Sequence, residues 1–159
     1  MSSRPGFLLR GTDMKKILLS FVMFVFFAFC CAPAFSAGTC TVTEASAGTY
    51  MVHTVTYSCT GDSSTGSIPA TASPYIFGWV FTVEVLPGSP APTNGYDLTL
   101  SNVNGIDVME GALADLSDTT KTIKKPAACF VAGALTLAAS GQSAAGAKWT
   151  VIISYYLEK

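Results

Sequence analysis

The sequence predicts an all-β fold: a single antiparallel β-sandwich or jelly roll of about seven to eight strands. Three observations lead there. Short runs of alternating apolar and polar residues recur along residues 38–159. Each run is bounded by Gly, Pro, Ser or Asn clusters, and none carries the period of an amphipathic helix. Helices packed on a sheet would have required that period.

The segment ahead of the first strand is of another kind. The chain has 159 residues, of which 50% are hydrophobic and 12% charged, with a mean hydropathy of +0.45. The apolar excess is concentrated in MKKILLSFVMFVFFAFCCAPAFSA, where Lys15 and Lys16 precede an apolar run from Ile17 to Phe29, then Pro33 and small residues. That order of charged, apolar and small regions is a secretory signal peptide over residues 14–37. Residues 1–13 have no role in such a signal, so Met14 is read as the start and 1–13 as an upstream extension. Small residues admit cleavage after Ala34, Ser36 or Ala37. A retained anchor is the alternative, since Ile17 to Ala37 nearly reaches the ~20 residues that span a bilayer; Pro33 and the small residues favour cleavage. Phe29 and Cys30 in front of the cysteines argue against a lipid attachment. The expected location is secreted, extracellular or periplasmic, with membrane contact only through the signal peptide.

The remaining stretch, 38–159, is about 122 residues, a size suited to one domain with one core. It holds five lysines, no arginine and nine acids, a formal charge of −4. Nucleic-acid binding needs clustered cations to displace phosphate counterions, and only KTIKKP offers any, so no nucleic-acid partner is expected. Three cysteines remain: Cys40, Cys59 and Cys129. In an oxidising compartment one disulfide is expected. Cys40 with Cys59 is the first choice because both fall in neighbouring N-terminal strands, although Cys129 can displace either. Zinc prefers ligands in close pairs, whereas these cysteines stand apart and His53 is the sole histidine. No metal or cofactor is expected.

The elements follow in order. YMVHTVTYSC places Met51, His53, Val55, Tyr57 and Cys59 on one face of a half-buried strand. GDSSTGSIPATAS, residues 61–73, is a long polar loop. YIFGWVFTVEVLP aligns Tyr75, Phe77, Trp79, Phe81, Val83 and Val85, which makes it the central core strand and assigns its aromatics to the core rather than to a sugar-binding platform. PGSPAPTN, residues 87–94, carries three prolines that cannot donate to a ladder and is therefore a surface connection. YDLTLS and IDVM follow, separated by NVNG. EGALADLSDTTKTIKKP holds one helical turn and a weakly marked strand. GALTLAAS and WTVIISYYLE close the domain.

The stretch TNGYDLTLSNVNGIDVMEG gathers acids and asparagines as a metal loop would. An EF-hand needs glycine sixth and glutamate twelfth; counted from Asn102, Gly105 is fourth, so the spacing fails. A looser calcium set of Asn102, Asn104, Asp107 and Glu110 is the alternative. The hairpin explains more, because Asn104-Gly105 is a favoured pair for a type I′ turn and apolar alternation flanks it on both sides. Asp97, Thr99 and Asp107 then face solvent. Triad chemistry would have to recruit His53, which shares its strand face with Val55 and Tyr57. Asp97 and Asp107 form the one conceivable carboxylate pair, and a hydrolase built on them ranks last.

The segments from Gly78 to Asp115 and from Gly133 to Tyr156 carry a recurring pattern. It comprises Pro92, Thr93, Tyr96 and Asp97, then Gly105, Asp107 and Val108, then Gly111 and Ala112, then Gly133, Leu135, Thr136 and Leu137. In this the chain resembles small, mostly uncharacterised phage and prophage proteins thought to be virion-associated. The resemblance implies a β-sandwich with a structural or binding role and carries over no functional residue. Such proteins usually lack an export signal and the cysteines at positions 40, 59 and 129. The function expected is a non-enzymatic structural or surface-binding module, with loops 61–73 and 87–94 as contact surface and a surface ligand or copies of itself as partner. A phage-derived virion or adhesion component is the alternative.

Overall fold

A computed structural model describes residues 37–46, 52–126 and 129–157. The extension 1–13 and the signal segment up to Ser36 lie outside them. Among the described residues nine strands form two antiparallel sheets: β1 (Thr39–Ser46), β2 (Val52–Thr60), β3 (Thr71–Ala72), β4 (Ile76–Pro87), β5 (Asp97–Ser101), β6 (Thr122–Lys124), β7 (Cys129–Gly133), β8 (Thr136–Ser140) and β9 (Lys148–Leu157). The count exceeds the expected seven or eight because β3, only two residues long, lies inside the expected polar loop and β7 carries no strand signal of its own, whereas β6 is the weakly marked strand of EGALADLSDTTKTIKKP.

The larger sheet runs β1-β2-β9-β4, and the far edge of β4 is shared by β7 along Ile76–Val80 and β6 along Val83–Val85. The smaller sheet has the order β3-β8-β5. The larger is built from β-branched, aromatic and threonine-rich runs, the residue types that fit a pleated, half-buried surface, and the smaller from leucine alternating with threonine and alanine. Val55, Val83 and Ile153 of the larger sheet and Leu98, Leu100 and Leu137 of the smaller one are buried in one core cluster. Burial of each such side chain contributes about 1.5–3 kcal/mol. Tyr57 of β2 ties the larger sheet to the connection between β7 and β8: its hydroxyl donates to the Leu135 carbonyl at 2.7 Å.

β4 departs from the expected alternation. Its register against β9 shifts between Val80 and Thr82, leaving Phe81 as an extra residue in the ladder. On the C-terminal side of this bulge Val83 and Val85 face the core as expected; on the N-terminal side Ile76, Gly78 and Val80 are buried instead. Tyr75, Phe77 and Trp79 are therefore outside, 67%, 43% and 42% exposed. A period of two assigns every residue of one parity to one face, and a single inserted residue exchanges the faces beyond it.

The stretch after β5 also differs from expectation. The chain turns over Asn102–Gly105, with the Gly105 N–H donating to the Asn102 carbonyl at 2.9 Å, and the returning chain makes one bridge, Ser101 to Asp107. Gly105 has φ +77°, while Asn104 is not among the residues of positive φ, so the pair does not form the two-residue I′ turn, which needs both. IDVM is not a strand. Successive tight turns, Ala112 N–H to the Met109 carbonyl and Ala114 N–H to the Gly111 carbonyl, fold 107–116 over the core and bury Met109, Leu113 and Leu116.

Candidate functional site

The outer face of the larger sheet is laid out in cross-strand rows. At one end Thr41, Ser58, Thr150 and Leu86 stand side by side across β1, β2, β9 and β4. Thr43, Thr56, Ile152 and Glu84 form the next row, and Ala45, Thr54, Ser154 and Thr82 the one after. At the far end Val52, Tyr156, Trp79 and Phe130 align across β2, β9, β4 and β7. Hydroxyls thus occupy one end and aromatic rings the other. The distance between the end rows is about 20 Å, six residues at the ~3.3 Å rise of a strand.

The rings support one another. Phe130 stands edge-on to Phe77 with centroids 5.3 Å apart and lies 5.3 Å from Trp79, while Phe81 stacks on Tyr156 at 4.4 Å. Aromatic pairs at such distances contribute about 0.5–1.5 kcal/mol beyond burial. Phe130 and Tyr156 are nonetheless 40% and 48% exposed. At the hydroxyl end the face descends into a shallow cleft of about 460 Å³ lined by Thr39, Thr41, Ser58, Thr60, Ser89 and Lys148 among others. Among the described residues two charged ones belong to the face: Glu84, which is paired with Lys121, and Lys148 at the cleft.

The loops expected to make contact are largely satisfied internally. Asp62 Oδ1 accepts from the Ser64 hydroxyl at 2.6 Å and from the Ser64 and Thr65 N–H groups at 2.7 and 2.8 Å. These hydrogen bonds, led by the Ser64 hydroxyl, pull the exposed carboxyl down to about 2. The Thr93 hydroxyl accepts from the Ser143 and Ala144 N–H groups, both at 3.0 Å, and the Gly146 N–H donates to the Asp62 carbonyl at 3.0 Å. Segments 61–67, 87–94 and 141–147 therefore close one end of the sandwich by binding each other.

The other predicted residues are placed as follows. Cys40 lies opposite Cys59 in the β1–β2 register and their sulfurs are bonded, a linkage compatible with an oxidising compartment. Cys129 is a free thiol, partly buried, and burial, with a smaller effect from Glu110, pushes its ionisation up. Asp97 and Asp107, expected to face solvent, are half-buried backbone caps. Asp97 accepts the Asp115 N–H at 2.9 Å, and Asp107 accepts the Met109 and Gly111 N–H groups at 3.0 and 2.9 Å. Asn102 Oδ1 accepts from Asn104 and Ile106. The side-chain oxygens of Asn102 and Asp107, two of the four residues considered for calcium, are thus employed in holding turns. His53 sits beside Tyr155 with ring centroids 5.5 Å apart and its Nδ1 3.6 Å from Glu44 Oε1, which also accepts the Tyr155 hydroxyl at 2.7 Å. Burial, then this carboxylate, pushes the Tyr155 phenol up.

Comparison with known proteins is silent. No family model, curated protein or solved structure matches the chain. The residues of the phage-like pattern have architectural duties here: Thr93 and Asp97 bind backbone, Tyr96, Leu135 and Leu137 are buried, and Gly133 adopts φ +150°. What sequence reasoning missed is the aromatic face. Its one legible signal was that both parities of IFGWV are apolar, so alternation alone could not choose which side goes inward.

Proposed function

We propose that the protein is an exported, non-enzymatic binding module that engages its partner through the outer face of the larger sheet. The observation that carries this reading is the cluster of Phe77, Trp79, Phe130 and Tyr156, large apolar side chains left 40–48% exposed on one face. Contiguous exposed apolar surface of this kind marks interaction sites. Loops 61–73 and 87–94 become the frame of that face rather than its contact surface, because their polar groups serve the fold. Export is supported by the signal pattern and by the Cys40–Cys59 bond.

A virion or adhesion component of phage origin is the second reading, favoured by the motif residues named above. Those residues build the sandwich, so they support a shared fold more than a shared role. Fractionation with an antibody to the domain separates the two. Enrichment in envelope or medium, lost in Trp79→Ala protein, supports the first. Co-sedimentation with induced particles supports the second. Hydrolysis of a glycan or ester that disappears in Asp97→Asn or Asp107→Asn protein would contradict both.

A further inference from the structure

Resting on the binding reading above, we propose that the outer face of the larger sheet takes a neutral polysaccharide, with Trp79 and Tyr156 as stacking platform and the threonine rows as its hydrogen-bonding fringe.

Three features of the face select this ligand over the alternatives. The first is charge. Among the described residues Lys148 is the one unbalanced charge on the face, since Glu84 is matched by Lys121. Nucleic acid or an anionic lipid surface would need clustered cations. The second is area. At ~150–250 Å² for each aromatic side chain and 40–48% exposure, the four rings offer roughly 350 Å². That ring area is less than half of the ~800 Å² that each partner contributes to a stable dimer, so a second copy would have to take most of its contact from the polar rows. The third is the pairing of chemistries. A pyranose presents flat C–H faces that lie on aromatic rings, and a rim of hydroxyls that must be hydrogen-bonded when stripped of water. Thr56, Ser58 and Thr150 supply side-chain hydroxyls able both to donate and to accept, and Thr54, whose hydroxyl donates to the Ala45 carbonyl, can accept, all on the same face as the rings and in register with them. A face about 20 Å long, six residues at ~3.3 Å each, accommodates several sugar units in a row. Mutual packing of the rings holds them in place before binding, which limits the ordering cost.

The test uses the exported protein and named probes. Binding to microcrystalline cellulose and chitin is measured by depletion from solution, and binding to cellohexaose by tryptophan emission. Retention on at least one of them is expected, weakened at least tenfold in Trp79→Ala protein, the scale of losing a central aromatic anchor. Tyr156→Ala serves as second variant, and a single cooperative unfolding transition well above the assay temperature certifies that either is folded. Wild-type protein that ignores all three probes overturns the inference, as does equal retention of both folded variants. A wild-type dimer that Trp79→Ala converts to monomer assigns the face to a second copy and overturns it too. Envelope enrichment that depends on Trp79 without glycan retention would sink this inference while leaving the binding-module reading intact.

Discussion

Tyr57 and Tyr96 are both buried and both have phenols pushed up to about 12, chiefly by burial. Only their partners differ. The Tyr57 hydroxyl donates to the Leu135 carbonyl in the connection between β7 and β8, whereas the Tyr96 hydroxyl has no partner among the described residues. Removing a satisfied buried hydroxyl costs about 1 kcal/mol, so Tyr57→Phe should lower the unfolding free energy by about that amount. Tyr96→Phe should leave it within about 0.5 kcal/mol. Urea unfolding of the two variants checks the contrast, and equal losses would show that the hydroxyl partners do not matter. Gly105 gives a second case. A Cβ there would meet nothing within 4 Å, so the sole obstacle is φ +77°. Gly105→Val should cost about 1 kcal/mol or more, and Gly105→Asn less, because Asn tolerates that conformation. An unchanged midpoint for the valine variant would contradict the turn described here.

β4 shows at the scale of the element how far a sequence can be followed. The long strands were legible because β2, β5 and β9 alternate over at least five residues and β4 is a long run rich in β-branched and aromatic residues, and the disulfide because Cys40 and Cys59 fall in strands that pair. The bulge was not legible: an inserted residue leaves no mark when both parities around it are apolar. The turn-rich segment 107–116 was missed for a related reason. Ile106 and Val108 alternate with Asp107 as strand residues do, but Asp107 takes the N–H groups that a ladder would have used. The bulge makes a prediction by position. Ile76→Ala should cost about 2–5 kcal/mol as a core truncation, while Trp79→Ala, despite the larger volume removed, should cost roughly 1 kcal/mol or less. Thermal or urea unfolding distinguishes this from unbroken alternation, which predicts the reverse order.

For the whole molecule, the sandwich leaves β1 at the edge of the larger sheet, joined by hydrogen bonds to β2 alone among the named strands and pinned there by the Cys40–Cys59 bond. The bond closes a loop of 19 residues, for which the chain-entropy estimate is about 3 kcal/mol. Replacing both cysteines by alanine should lower stability on that scale, measured by urea unfolding. A loss below about 0.5 kcal/mol, the level of an ordinary surface change, would mean that β1 holds its place without it. The functional account depends on a simpler fact: the aromatic row of β4 faces outward. The chain has two tryptophans, with Trp149 buried at 1% exposure and Trp79 at 42%, so each can report alone. Acrylamide quenching of the Trp149→Phe and Trp79→Phe proteins is the most direct test. Efficient quenching of Trp79 and shielding of Trp149 is the predicted result. Equal shielding of both would place Trp79 in the core and contradict the binding face.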